Sequence, residues 1–313
     1  MVERNVELGS LPTEARNPAS ERIDEVSTVE MLGILHAADQ EAVDAVGRVL
    51  PQIAAAVDAI AARIEAGGRL FYLGAGTSGR LGVLDASECP PTYNTPPELV
   101  QGIIAGGDVA LRRSIERAED QPEFGARDLE EHDFGAGDAL VGIAASGRTP
   151  YVLGGMEHAR RLGALTIGLT CVPGSPVAVA AEIALVPATG PEVVTGSTRM
   201  KAGTATKLVL NMLSTGTLVR LGYVYGNLMV NVQPTNTKLA DRAARIIAAI
   251  TGLSEEQAAQ LLAKAETVKT AVVMQKLGVS RADAEARLAA AHGRLKDVLQ
   301  GGSGTTRDRT RTT

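Results

Sequence analysis

Residues 70–93 read LFYLGAGTSGRLGVLDASECPPTY, and the shift in composition inside this stretch decides the class of fold. Leu70 to Leu73 is a short apolar run that fits a buried parallel strand. It breaks into Gly74-Ala75-Gly76-Thr77-Ser78-Gly79-Arg80 before apolar residues resume at Leu81. The order is strand, glycine-rich turn, helix start. Glycines let the backbone close on a ligand, and the free N–H groups at a helix start, at the positive end of its dipole, seat a phosphate or another anion. The turn points to a phosphorylated small molecule.

The same arrangement returns further along the chain. Ala139 to Ala144 is a second strand-like run, it ends in Ala145-Ser146-Gly147-Arg148-Thr149, and Pro150 stands where a first-turn proline opens a helix. Either loop alone reads equally as an ordinary strand-to-helix turn, for which glycine and serine are the usual punctuation. Both loops carry Ser-Gly-Arg, however, and the pair reads as two loops of one fold converging on one ligand.

Composition fits a soluble metabolic protein. The 313 residues have ample length for one large α/β domain and a small second one. With no tryptophan and three phenylalanines, the core must be aliphatic. A net charge of −5 without a basic run leaves no footprint for nucleic acid. Cys89 and Cys171 form neither a disulfide framework nor a metal-ligand pair, and Met1 to Ser10 lacks the apolar core of a signal peptide, so a cytoplasmic location is expected. The apolar segment Lys207 to Val232 is interrupted by Asn211, Arg220 and Asn227, which suits a buried helix and not a membrane span.

Four parts are expected. Residues 1–45 form an N-terminal polar segment, irregular to about residue 40. Residues 46–245 form the ligand-binding domain, 246–300 a small three-helix module, and 301–313 a disordered tail without apolar residues. Val46, Val49, Leu50, Ile53, Val57, Ile60 and Ile64 recur with helical spacing. Strands near 70–73, 99–104, 139–144, 165–170 and 183–187 then alternate with helices near 80–86, 109–118, 151–162 and 203–221. Such alternation predicts an α/β fold, a doubly wound parallel sheet with ligands at the carboxyl ends of its strands. In the module, Ser254-Glu-Glu-Gln257 and Ser280-Arg-Ala-Asp283 read as capped helix starts.

Nucleotide signatures fit poorly. Gly74-Ala-Gly76-Thr-Ser-Gly79 matches the dinucleotide fingerprint, but the next strand ends Ile104-Ala-Gly-Gly107 and the first acid, Asp108, comes late. As a P-loop the turn has Arg80 for lysine and Leu81 for the magnesium-binding hydroxyl. Two acids are candidates for proton transfer. Glu88 precedes Pro90 and Pro91, which are expected to end its helix and fix its direction, and Glu119 falls at the end of the next helix. On position alone Glu119 reads as well as a solvated surface group. A third cluster, Glu192-Val-Val-Thr195-Gly-Ser197-Thr198-Arg199-Met-Lys201-Ala-Gly-Thr204, gathers four hydroxyls and two cations before an apolar helix, which reads as another wall of an anion or sugar site. His36, His132, His158 and His292 are scattered without ligand spacing.

Taken together, Leu73 to Arg80, Asp85 to Tyr93, Gly142 to Pro150 and Glu192 to Thr204 resemble the signature blocks of the bacterial N-acetylmuramic acid 6-phosphate etherases, in order and over about Thr13 to Leu299. More distantly the chain is similar to the animal glucokinase regulatory protein, a non-catalytic sugar-phosphate binder. The resemblance implies a sugar isomerase (SIS) fold, a homodimer, and removal of D-lactate from a sugar phosphate in cell-wall recycling, using two carboxyl groups and neither metal nor other cofactor. It implies that Glu88 is the acid that helps lactate leave and Glu119 the other catalytic carboxyl. Thr77, Ser78, Gly79, Ser146, Gly147, Arg148, Thr149 and Ser197 would hold the phosphate and sugar. Apart from the resemblance, the two cations of the third cluster make Arg199 or Lys201 the residue expected to face the lactyl carboxylate. An aldose-ketose sugar-phosphate isomerase and a non-catalytic sugar-phosphate sensor remain as alternatives.

Overall fold

Five aliphatic segments pair into one parallel sheet: β1 (Leu70–Gly74), β2 (Val100–Ile104), β3 (Ala139–Ile143), β4 (Leu165–Leu169) and β5 (Ile183–Leu185), in the order β2-β1-β3-β4-β5. The computed structural model describes residues 12–115, 117–234 and 236–301. Every residue of β1, β3 and β4 is buried, which explains why these strands read as unbroken apolar runs. Side chains alternate across the sheet. Phe71 and Leu73 join a core with Leu129, Leu140, Tyr151 and Met156 on one face, whereas Tyr72 points to the other. The expected fold class is the observed one.

The helices depart from expectation in several places. The segment read as irregular contains α1 (Thr28–Gly47), started by a capping box in which the Glu30 N–H donates to the Ser27 hydroxyl and the Ser27 N–H to the Glu30 carboxylate. Its buried stripe is Ala38, Ala42, Ala45 and Val46, too small in side chain to stand out as hydrophobic periodicity. The helix read from Val46 is α2 (Leu50–Glu65), separated from α1 at Arg48-Val49 because Pro51 belongs to a first turn.

After β1, α3 (Gly76–Tyr93) begins four residues before the expected start and runs through Pro90 and Pro91. Pro90 and Pro91 cannot donate to the carbonyls of Ala86 and Ser87, and the helix runs only two residues beyond them, to Tyr93. The helix expected over 109–118 is the single turn α4 (Val109–Arg112). Arg113 is already extended, at φ −149°, as the chain turns to lay Ile115 against Gly106. Glu119 therefore sits in a turn. Unforeseen helices α5 (Pro122–Glu131) and α7 (Pro176–Ala180) flank α6 (Pro150–Leu162), which Pro150 opens as expected. An added Cβ on Gly125 would lie 2.0 Å from the Tyr151 carbonyl, and one on Gly154 at 1.9 Å from that of Pro122, so α5 and α6 touch backbone to backbone. The apolar helix is α8 (Lys201–Arg220).

The chain divides into two compact units, Met1–Pro90 with Thr95–Thr217, and Pro91–Asn94 with Leu218–Thr313. The second unit has its own core, in which Ile247, Leu262, Val268, Val272 and Leu295 are buried. Its helices are α9 (Thr237–Thr251), α10 (Glu255–Ala265), α11 (Val268–Leu277), α12 (Arg281–Ala290) and α13 (Leu295–Leu299). Ser254 and Ser280 cap α10 and α12 as read, but more helices are present than three, because left-handed Gly278 and Gly293 break what reads as continuous helix. The tail assigned to 301–313 lies outside the described residues save for Gly301. Among the described residues no single helix is long and apolar enough to cross a membrane; only α1 and α2, bent 58° at their junction, reach that composition together.

Candidate active site

The strand order reverses direction between β1 and β3, since β2 lies outward from β1 on one side and β4 from β3 on the other. At such a switch point the loops leaving the carboxyl ends of adjacent strands part and leave a crevice. The loops leaving here are the two that carry Ser-Gly-Arg, and Gly74 at the end of β1 is paired in register with Ile143 at the end of β3. The sequence repeat and the topology select the same place.

The two loops are built differently. Thr77, Ser78 and Gly79 lie in the first turn of α3, with both hydroxyl residues half-buried. Gly79 is pressed onto the strand end: an added Cβ would meet Ile104 at 2.6 Å and the Gly74 carbonyl at 2.7 Å. Arg80 donates through Nε to the Leu111 carbonyl at 3.2 Å, which ties α3 to the end of α4. Ser146, Gly147, Arg148 and Thr149 remain outside any helix, and the Thr149 carbonyl accepts the N–H groups of Val152 and Leu153, both at 3.1 Å. Gly147 adopts φ +69°, where a Cβ would stand 2.0 Å from the Ser175 hydroxyl and 2.7 Å from that of Thr170. The Nε of Arg148 is shielded from solvent and has no hydrogen-bond partner among the described residues. A buried donor left in that condition is one that a ligand oxygen would satisfy.

The third block reaches the first loop through the start of α8. Cα of Gly203 is oriented so that an added Cβ would lie 3.7 Å from the Thr77 methyl group. Both Glu192 oxygens accept backbone N–H groups of this first turn, from Lys201 at 2.8 Å and Ala202 at 3.0 Å. Glu192 has no exposed surface, and burial raises its pKa while those two N–H groups and the neighbouring Lys201 charge lower it. Ser197 is half-buried in the loop ahead, whose backbone turns at Gly196 with φ +75°. Lys201 is 2 % exposed; its ammonium donates to the Glu41 carboxylate on α1 at 2.5 Å and to the Pro191 carbonyl at 3.2 Å. Arg199 is exposed. The N-terminal segment closes over the same block. Asn17 donates to the Pro191 carbonyl, Ser20 to that of Val193 at 2.7 Å, and a Glu14 carboxylate oxygen lies 3.0 Å from the Cβ position of Gly196.

The two acids stand apart in setting. The Glu119 carbonyl accepts the N–H of Tyr151 at 3.0 Å, which stitches its turn to the first turn of α6 and so beside the second loop. Glu88 is eleven positions beyond Thr77 on α3, roughly 16 Å along the helix axis at 1.5 Å per residue. Both side chains are exposed.

Comparison with known proteins assigns a family to this geometry. Residues 52–160 match the glucokinase regulatory protein N-terminal SIS domain, 130–216 the SIS domain, and 226–294 the C-terminal lid domain of glucokinase regulatory protein. The N-acetylmuramic acid 6-phosphate etherase of Aeromonas hydrophila is 55 % identical over 289 residues, covering 92 % of this chain and 97 % of that protein. The etherases of Aliivibrio fischeri and Shigella flexneri are each 54 % identical, covering 94 % of this chain and 98 % and 99 % of theirs. The chain belongs to the N-acetylmuramic acid 6-phosphate etherase family.

Within this etherase-family chain α3 carries a buried acid that no sequence pattern singles out. Asp85 is 6 % exposed; it accepts the Tyr72 hydroxyl at 2.9 Å and the Asn211 amide at 2.6 Å. Its charge is felt nearby. Burial first, and Asp85 second, push the Tyr72 phenol well up and the Cys89 thiol up to about 12. Asp85 stood inside the etherase signature block, but its partners are on other elements, and no local pattern announces them.

Proposed function

We propose that this enzyme is a carbon–oxygen lyase that cleaves the D-lactyl ether of N-acetylmuramic acid 6-phosphate, releasing D-lactate and leaving N-acetylglucosamine 6-phosphate. The observation that carries this reading is identity above one half across nearly the full length of relatives that bear the etherase name. The paired loops at the switch point supply the matching physical requirement, a seat for a sugar phosphate.

In the open-chain sugar the C1 aldehyde acidifies the C2 proton, so a carboxylate can remove it as general base. The C3–O bond then breaks, a carboxylic acid protonates the departing lactate oxygen, and water adds to C3 of the unsaturated aldehyde. We assign the base to Glu119, whose turn adjoins the second loop, and the acid to Glu88. The hydroxyls of Thr77, Ser78, Ser146, Thr149 and Ser197, the backbone at Gly79 and Gly147, and the Arg148 side chain bind phosphate and sugar. Lys201, held by Glu41 and Pro191, acts on the same wall. The enzyme works as a homodimer in the cytoplasm; exposed Val29, Leu32 and Val43 on α1 offer apolar surface for pairing.

The test is lactate release from N-acetylmuramic acid 6-phosphate with deuterium uptake at C2 in heavy water. Glu88→Gln should lose lactate release by about 10² or more, the usual scale of general acid catalysis, yet keep some C2 exchange. Glu119→Gln should lose both. Turnover of fructose 6-phosphate without lactate release would make the protein an isomerase, and binding without turnover a sensor.

A further inference from the structure

Asp85 is a buried carboxylate that the proposed chemistry does not use, and among the described residues its two donors, Tyr72 and Asn211, are both neutral. Such a charge is costly to bury unless its hydrogen bonds are complete. Each donor comes from a different element of the site. Tyr72 is on β1, the strand that delivers the first Ser-Gly-Arg loop, and Asn211 is on α8, whose first turn presents the third block. Asp85 itself is on α3, which carries Thr77 and Ser78 in its first turn and Glu88 three residues after Asp85. Around it α3 packs too closely to shift freely: an added Cβ on Gly82 would lie 2.9 Å from Cβ of Tyr72. A helix resting on a sheet can still roll about its axis, and a roll would swing Ser78 and Glu88 together. Two hydrogen bonds to one short side chain, from two directions, oppose it.

We propose that Asp85 is a positioning residue, which fixes the rotation of α3 against β1 and α8 and so sets the directions of the phosphate-binding first turn and of Glu88. It touches no substrate and moves no proton. This inference rests on the functional reading above, and it concerns the geometry on which that reading depends.

The experiment uses the full-length protein and four variants: Asp85→Asn, Asn211→Asp, the exchanged pair Asp85→Asn with Asn211→Asp, and Tyr72→Phe. Each is measured for kcat and KM in lactate release, for the Kd of N-acetylglucosamine 6-phosphate by calorimetry, and for Tm. The expected result is a fall in kcat of at least about tenfold in either single Asp85 or Asn211 variant, since misplacement by an ångström costs up to about 10² in rate. Kd should weaken in parallel, and the exchanged pair, which restores one donor facing one acceptor, should recover most of both. Tyr72→Phe removes one donor and should fall between the wild type and Asp85→Asn. If Asp85→Asn does not fold, the exchanged pair and Tyr72→Phe carry the test. Recovery of Tm in the exchanged pair without recovery of kcat and Kd would overturn the proposal, as would wild-type kcat and Kd in Asp85→Asn. A wild type that binds the sugar phosphate but releases no lactate would overturn the etherase reading alone, because the Kd series still judges Asp85.

Discussion

The two Ser-Gly-Arg loops share three residues and a place at the end of a strand, yet the fold treats them as different objects. In the first, the tripeptide is absorbed into α3, and Arg80 is committed to the Leu111 carbonyl. In the second it stays an open turn, bent through a left-handed glycine and stapled from outside, with the Val177 N–H donating to the Gly147 carbonyl and the Cys171 N–H to that of Ala145, both at 3.0 Å. The Nε of Arg148 has no hydrogen-bond partner among the described residues. A helix turn holds its own N–H groups in line, so the first loop needs little help. An open turn has to borrow its rigidity, and the Nε of its arginine is left over from that scaffold.

The contrast breaks first at the glycines. Gly147→Ala puts a methyl group into the Ser175 and Thr170 hydroxyls at φ +69°, and left-handed strain plus overpacking should cost about 3 kcal/mol in urea unfolding. Gly76→Ala, at φ +53° with open space at the Cβ position, should cost only about 1 kcal/mol. Equal losses would mean that the two turns are held alike.

A next test concerns whether the loops meet on one group. Ser78→Ala and Ser146→Ala should each raise KM about tenfold or more, as loss of a hydrogen bond to a charged phosphate costs roughly 1.5–3 kcal/mol. If both hold the same phosphate, the double variant should fall short of the product of the two effects, because groups sharing a partner are coupled. A fully multiplicative double variant would place the loops on separate parts of the ligand.

The smallest effect separates the arginines. Arg80→Met should lower stability by about 1 kcal/mol through its lost hydrogen bond and leave KM unchanged. Arg148→Met should raise KM without lowering Tm, since it removes a buried donor that had nothing to bond. Loss of Tm in Arg148→Met, with KM unchanged, would assign that arginine to the scaffold.

How far this was legible in the sequence follows from range. β1, β3 and β4 are buried on both faces, so their composition alone marks them, and the loops leaving them are punctuated by glycine and serine. α1 was missed because alanines line its buried face, and α5 because Gly125, a sign of a turn in isolation, is there to let α6 approach. The path to Glu119 is set by Ile115 resting on Gly106 and by the Tyr151 N–H, and neither partner is readable from residues 109–120. The prolines after Glu88 mark the end of α3 to within two residues, since each lacks the N–H that would bond the carbonyl four residues back. The Lys201 side chain is buried and bonded to Glu41, 160 positions earlier in the chain, a partner that residues 192–204 do not announce.

The hydrogen bond between Asp85 and Asn211 spans 126 residues of chain. Contacts of such separation form late, because a long loop must be closed before the contact rewards it. On a ribosome, where chains emerge at about 5–20 residues per second, α3 would exist for several seconds before its second partner is made. During that interval Asp85 has the Tyr72 hydroxyl within reach on β1 but not yet the Asn211 amide. The set of contacts around Asp85 is therefore complete only once α8, near the C-terminal end of the first unit, has been made.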